Sequence, residues 1–432
     1  MLTAPQHQPV RALRLRAKRL VWRPVRRALI AYARGGRPTR GAERRVTIWL
    51  VSAWGMGGTI RANWNLAGWL AEHGWEVELL STYRRRDEAF FGPLPQGVHP
   101  GALDERRPGH RPTGLAGVVR ERLRKRSSVL IHPSDRHYGA FSLWTDVQLV
   151  RRLRGRRGIF IGTRAGINLL LGELQLPHAV CLGEEQMHHF HHIKPLRKVM
   201  PRHYHKLDAL VVLTQQDVGN YEPVLKGRGR IEQIPNTVRD MGDGRADLSA
   251  KVVLAAGRFR IQKGFDLLIP AWAPVAADHP DWTLRLCGKG NEQRLIEQLI
   301  AEHQLEDGVS LEGPLDQLGA EMEKASIFPL SSRFEGFPLI LLEAMSKGMA
   351  IVSYDCPTGP ADIVDDHANG LLVPPRDVER LSAALREMVE SEALRQRCAT
   401  AAVDTAARYT MDAVGPRWAA LLEDLLAAKA GR

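Results

Sequence analysis

The chain has 432 residues, 44% hydrophobic and 25% charged, with a formal net charge of +13. This length accommodates two or three domains, and the composition is globular rather than disordered or collagen-like. No run nears the roughly 18 consecutive apolar residues of a membrane span, and no apolar h-region opens the chain. The four scattered cysteines (Cys181, Cys287, Cys356, Cys398) argue against a zinc cage or disulfide framework. A reducing cytoplasm is the expected location.

The positive charge is concentrated at one end. Residues 1–45 hold 13 of the 61 Lys/Arg and one acid, Glu43, so twelve of the thirteen net charges lie there. This stretch is expected to be a basic N-terminal extension, divided by Pro24 into two short helical candidates. The second puts Val25, Ala28, Leu29 and Tyr32 on one face, with Arg23, Arg26 and Arg27 around it. Two readings stand side by side: a basic amphipathic helix on the anionic inner face of a membrane, and a solvated basic tail. Nucleic acid is not expected as a partner, because Trp22 and Tyr32 are the only aromatics among the arginines.

Residues 46–235 read as a first α/β domain. Val46–Val51 is a strand candidate. A glycine-rich turn, Gly55–Met56–Gly57–Gly58–Thr59, leads into a helix that His73–Gly74 ends, and Glu76–Leu80 is the next strand. This is a βαβ unit of a parallel sheet. Further strand candidates are Ser128–Ile131, Gly158–Ile161, Ala179–Leu182 and Ala209–Leu213. The arginine runs 120–126 and 151–157 read as solvated helix faces, or more sharply as a surface for an anionic acceptor.

Residues 235–250 are polar and turn-rich, as expected of a linker. A second α/β domain over 236–410 offers strands at Lys251–Ala256, Thr283–Cys287, Val309–Glu312, Ile327–Leu330 and Ala350–Ser353. Residues 411–432 end the chain in a helix without a following strand, which must pack back on the body. The expected fold class is α/β, with two Rossmann-like domains facing a cleft.

Two acids, Glu335 and Glu343, stand eight positions apart in an otherwise uncharged, mostly apolar run. A carboxylate there is costly unless paired or hydrogen-bonded. Glu335 sits in a Gly/Pro turn and Glu343 in the helix that follows. A turn opening a helix presents free amides that suit phosphate, and an acid inside the helix can accept hydrogen bonds from hydroxyls. The segment fits a phosphorylated, hydroxyl-rich ligand such as a nucleotide sugar.

In chain order, Gly257–Arg258, Gln262–Lys263–Gly264–Phe265, Gly288–Lys289–Gly290, the Glu335/Glu343 pair and Asn369–Gly370–Leu371–Leu372–Val373 resemble the donor domain of the family-4 retaining glycosyltransferases of the GT-B fold (glycosyl transferases group 1). Gly57–Gly58–Thr59 and Ile234–Pro235–Asn236 resemble that family's glycine loop and interdomain joint. The resemblance covers the chain from about residue 46 to its end. It implies sugar transfer from a nucleoside-diphosphate donor to an acceptor, with retention and by front-face attack; the basic extension points to a cell-envelope glycan or lipid-linked acceptor. Arg258 and Lys263 would neutralise the leaving diphosphate; as lone charges they would read as ordinary surface cations. Glu335 would hold the transferred sugar and Glu343 the ribose. The amides of Phe337 and Leu339 would approach phosphate, Pro338 having none to offer. Gly57, Gly58, Gly288 and Gly290 would let backbone come close to the donor. The chain has no Asp-x-Asp motif, so no metal or other cofactor is expected.

One departure stands out. Where relatives carry a sugar-contacting histidine, this chain has Gln186, and a short shift would substitute His188. His188 and His192 would share a face if helical and could then hold zinc, the weaker reading. Competing functions are an epimerase or hydrolase of the same fold, and a non-enzymatic binder of anionic surfaces acting through residues 1–45. A dinucleotide-dependent oxidoreductase fits less well, since residues 55–58 do not make Gly-x-Gly-x-x-Gly.

Overall fold

The protein is described from a computed structural model, over residues 21–39, 44–110, 113–315 and 317–431. The chain forms two units. The first comprises Met1–Val212, Asn220–Glu232 and Arg417–Arg432; the second comprises Leu213–Gly219 and Gln233–Pro416. The helix Met411–Ala430 therefore starts in one unit and continues in the other.

The first unit is built on strands β1 (Arg45–Leu50), β2 (Glu76–Arg84), β3 (Val98–Glu105), β4 (Gly158–Gly162), β5 (Ala179–Glu184), β6 (Ala209–Val212) and β7 (Ile231–Gln233), in the order β3-β2-β1-β4-β5-β6-β7. The pairs from β3 through β6 are parallel. The order reverses between β1 and β4, as in a doubly wound sheet.

Strand β3 is absent from the sequence expectation because it contains Pro100 and Gly101, which disguise it. It lies at the sheet edge, where proline is tolerated. A Cβ at Gly101 would fall 2.3 Å from Glu78 Oε1, which is held by Arg152.

The expected strand Ser128–Ile131 does not form. Asp146 takes the Val129 amide at 2.7 Å and the Leu130 amide at 3.3 Å, and the Ser128 hydroxyl takes the Ile131 amide at 3.0 Å. With those donors engaged, no ladder can run through the segment. Arg120, expected on a solvated face, is 2% exposed and bonded to Asp104.

Of the basic N-terminal segment, the first helical candidate lies outside the described residues. The second is the helix Arg23–Arg34, packed against the helices Leu143–Leu153 and Ala165–Leu174. Its inner side is Arg26, Leu29, Ile30 and Ala33, while Val25, Ala28 and Tyr32 are exposed. The buried side thus differs from the expected apolar one. The deciding contacts are made by arginines: Arg26 bonds Glu173 and the Val129 carbonyl, and Arg34 donates to the Leu174 carbonyl at 2.6 Å.

The second unit carries β8 (Val252–Ala256), β9 (Thr283–Cys287), β10 (Val309–Glu312), β11 (Ile327–Leu330), β12 (Ala350–Tyr354) and β13 (Leu371–Val373), all parallel in the order β10-β9-β8-β11-β12-β13. Successive side chains of a strand point to opposite faces, and the core follows that rule. Val253, Ala255, Ile327, Ala350 and Val352 enter one apolar cluster, while Leu254, Phe328, Leu330 and Ile351 enter another. Two cores on one sheet explain why these strands read as continuous apolar runs. Both units are Rossmann-like parallel-sheet folds. Among the described residues, no helix is long and apolar enough to cross a membrane.

Candidate functional site

In the second unit the strand order reverses between β8 and β11. The crevice outside the carboxyl ends of such a strand pair is the usual ligand position in open α/β sheets. Lys263 follows β8 and Glu335 follows β11, and they meet there: Lys263 Nζ lies 2.7 Å from Glu335 Oε1. The Ser332 hydroxyl donates to the same oxygen at 2.6 Å. Glu335 is 7% exposed, so its charge is matched by a cation and a hydroxyl rather than by water.

The two loops that bring this pair together are joined to each other. Arg333 grips Asp266 through both nitrogens at 2.7 and 2.6 Å and donates to the Ile261 carbonyl at 2.7 Å. Its own amide donates to the Gln262 carbonyl at 2.7 Å, and the Gln262 side chain donates to the Phe334 carbonyl at 3.0 Å. Gly264 has φ +67°, and a Cβ there would sit 2.0 Å from the Ser331 carbonyl oxygen. On the other side the Glu335 amide donates to the Pro357 carbonyl at 2.7 Å.

A second joint binds the loops after β8 and β9. The Phe259 amide donates to the Lys289 carbonyl at 3.0 Å and the Glu292 amide to the Phe259 carbonyl at 3.1 Å. A Cβ at Gly288 would stand 1.9 Å from the Gly257 oxygen, and one at Gly290 would stand 2.1 Å from the Phe259 oxygen. Main chain lies against main chain, and no side chain fits. The Phe259 ring anchors the loop in the core against Phe265. This leaves Arg258 exposed, without hydrogen bond or ion pair among the described residues. The aliphatic stem of Lys263 passes 3.5 Å from a Cβ built on Gly257. Arg258, Lys263, Glu335, Gly288 and Gly290 are thus gathered at the ends of β8, β9 and β11.

Downstream, the Leu339 amide donates to the Phe337 carbonyl at 2.9 Å in a tight turn before the helix Leu339–Ser346. This amide, expected to face phosphate, is engaged within the turn. Phe337 and Pro338 are buried, Phe337 against Tyr409 and Pro338 against Gly359. Glu343 accepts from Arg239 Nε at 2.6 Å. Arg239 does not stand out as a site residue in the sequence, because it lies among the turn-forming residues 235–250. The sequence signal is its cationic charge, three residues beyond the Pro235–Asn236 joint.

In the first unit, Gly57 (φ +148°) and Gly58 follow β1 and open the helix Gly58–Glu72. Trp64 Nε1 donates to the Ala53 carbonyl at 3.0 Å and pins that turn. From this helix Asn63 reaches the segment after β5, donating to Glu184 Oε2 at 3.0 Å, while Gln186 donates to Glu184 Oε1 at 2.6 Å. Asn168 bonds both the Glu184 carbonyl and Glu185 Oε1, at 3.0 and 2.8 Å, and Tyr204 also donates to Glu185 Oε1. Gln186 is buried within this network. His188 is half-buried, and burial aided by the neighbouring histidines holds its imidazole down to about 4, so it is neutral at pH 7. The α-helical placement that would pair His188 with His192 does not occur. Residues 189–191 form a single 3-10 turn, and His192 Nε2 lies 3.0 Å from Glu185 Oε2. Among the described residues no cluster of three His, Cys, Asp or Glu could hold a metal.

Burial pushes the Glu184 carboxyl up to about 7; the hydrogen bonds from Asn63 and Gln186 oppose the shift, and the Glu185 charge adds to it. The folded state thus holds a proton on this group that the unfolded chain has already released. Its stabilising share is complete below the unfolded value, about 4.3, and is lost as pH rises through 7. Between pH 5 and 8 the wild type should lose about 2 kcal/mol more stability than Glu184→Gln. Urea unfolding at four pH values reads this, and parallel profiles would show the assignment to be wrong.

Residues 239–404 match the family described as Glycosyl transferases group 1. An exopolysaccharide phosphotransferase of Streptomyces coelicolor is 31% identical over 386 residues, which are 86% of this chain and 40% of that protein. An amylovoran biosynthesis glycosyltransferase of Erwinia amylovora is 31% identical over 166 residues, 38% of this chain and 46% of its own. The chain thus spans less than half the length of either relative. Among solved structures, sucrose-phosphate synthase from Thermosynechococcus elongatus superposes with a TM-score of 0.69 at 18% identity, covering 89% of this chain and all of that one. The shared architecture is that of GT-B structures. The segment 239–404, which carries the Lys263–Glu335 pair, is the part of the chain that matches glycosyl transferases group 1.

Proposed function

We propose that the chain is a retaining glycosyltransferase that moves a sugar from a nucleoside diphosphate to a cell-envelope glycan or lipid-linked acceptor. The observation that carries this reading is the Lys263–Glu335 contact at the reversal point of the second sheet, beside the unpartnered Arg258. The family match and the exopolysaccharide and amylovoran relatives support it. As the bond between the anomeric carbon and the phosphate oxygen breaks, negative charge grows on the diphosphate. Arg258 and Lys263 supply positive charge for that step, so the proposed mechanism needs no metal. Glu335 orients Lys263 and can accept from sugar hydroxyls. Glu343 accepts from the ribose hydroxyls once Arg239 turns aside. The acceptor hydroxyl attacks from the same face, and its proton passes to the departing phosphate.

A second reading, favoured by the phosphotransferase relative, is transfer of a sugar phosphate. That name describes a protein of which this chain spans 40%. The two reactions release different products, a nucleoside diphosphate in the first and a monophosphate in the second. Product analysis with UDP- and GDP-sugars separates them. Glu343→Ala should weaken nucleoside diphosphate binding about tenfold, and Glu335→Ala should lower kcat about a hundredfold with binding retained. Unchanged calorimetry and turnover in both variants would refute the site.

We also infer contact with an anionic membrane surface on its inner face. Val21, Val25, Ala28 and Tyr32 form an exposed stripe at helical spacing, with the exposed Arg23 and Arg27 beside it. Such a face suits the headgroup boundary of a bilayer.

A further inference from the structure

Between the helix Arg23–Arg34 and the body of the first unit lies a cavity of about 1030 Å³, at the upper end of small-molecule sites. Five guanidinium groups line it, those of Arg23, Arg26, Arg27, Arg34 and Arg202, against one carboxylate, Glu173. Arg26 is committed to Glu173 and the Val129 carbonyl, and Arg34 to the carbonyls of Glu173 and Leu174. The side chains of Arg23, Arg27 and Arg202 make no hydrogen bond or ion pair among the described residues. Beside them His203 Nδ1 is buried without a hydrogen-bond partner. Such an atom is costly unless something fills the site.

Apart from His132, the remaining wall is apolar: Ile30, Ala31, Leu130, Leu169, Leu170 and Val199. Leu130, Leu169 and Leu170 are 2%, 5% and 1% exposed, so they back this wall from the core, and the half-buried Ile30 and Val199 supply its open apolar surface. Unpaired cations over a fixed apolar floor match a ligand with an anionic head and a hydrocarbon body. A sugar would leave the floor unsatisfied, and a free phosphate would leave it empty. The two segments that supply the cations also expose large apolar residues, namely Val21, Val25 and Tyr32 on one and Phe190 and Ile193 on the other. Their surroundings are therefore suited to a lipid phase.

We propose that this cavity binds one phosphate-bearing lipid. Its phosphate lies against Arg23, Arg27 and Arg202, and part of one chain lies on Ile30 and Val199, which Leu130 and Leu170 back from the core. Guanidinium groups bind phosphate oxygens in pairs, and each buried methylene adds its own apolar term. The proposal rests on the membrane-surface reading only for the source of the lipid, and it does not depend on sugar transfer.

The test uses the full chain and probes that are monomeric in solution: dihexanoyl phosphatidic acid, dihexanoyl phosphatidylcholine and inorganic phosphate, measured by calorimetry. The phosphatidic acid should bind at least about tenfold tighter than either other probe. Arg27→Gln/Arg202→Gln should weaken it about tenfold or more. Ile30→Trp should weaken it by narrowing the apolar end. Melting temperature and UDP binding report that the variants fold. Equal binding of the three probes, or wild-type affinity in the arginine variant, overturns the proposal. Liposome flotation reads the surface contact separately, so each reading can fail without the other.

Discussion

Lys263→Ala should lower kcat/KM by about two to three orders of magnitude, the usual loss when one donor to a developing anion is removed. The substitution also leaves Glu335, 7% exposed, with only the Ser332 hydroxyl among the described side chains to meet its charge. Some stability should therefore be lost, and this has to be separated from catalysis. The double variant Lys263→Ala/Glu335→Gln removes the stranded charge. It should recover the melting temperature while turnover stays low. Steady-state kinetics alongside thermal unfolding reads both effects. Recovery of turnover together with stability would mean that Lys263 is only a structural partner of Glu335.

The largest stability effect is expected in the first unit. Asp104 is fully buried and accepts from Arg120 Nε and Nη2 at 3.1 and 2.6 Å, and also from Arg106. Arg120 also donates to the Glu105 carbonyl at 2.8 Å. Asp104→Ala leaves the buried Arg120 guanidinium with only the Glu121 carboxylate at 2.7 Å and the Glu105 carbonyl, and should cost about 3–5 kcal/mol. Replacing both members by apolar residues of similar volume, as in Asp104→Leu/Arg120→Met, should recover most of that loss, because desolvation of the pair is removed with it. Denaturant unfolding followed by a probe in the first unit measures this. A single-variant loss under about 1 kcal/mol would mean that water reaches the pair.

The second sheet is legible because its strands are buried on both faces and read as unbroken apolar runs, as in Val252–Ala256 and Ala350–Tyr354. The same rule misleads at Val129–Leu130–Ile131, an apolar run whose amides are taken up by Asp146 and Ser128. Strand β3 is hidden by Pro100–Gly101, which only an edge position permits. In the site, Arg258, Lys263 and Glu335 are visible from motif order. That Lys263 and Glu335 touch is not visible, since 72 residues separate them and the joint is made by Arg333 and Asp266. Nor is the engagement of Glu343 by Arg239, a partner contributed from a stretch of turn-forming residues. Local chemistry can be read along a chain; pairings set by topology emerge only when the sheet order is known.

The main-chain joint between the loops after β8 and β9 has a consequence for motion. Loops at the ends of strands usually open on their own, at the low end of a protein's local unfolding energies. Here the Gly257, Phe259, Gly288 and Glu292 amides are all spent on neighbouring loops or strand ends, and Gly288 and Gly290 admit no slack between the chains. Opening either loop therefore means breaking into the sheet that carries both. Arg258 stands on the cooperative unit itself, so its lifetime in position is that of the fold rather than that of a loop.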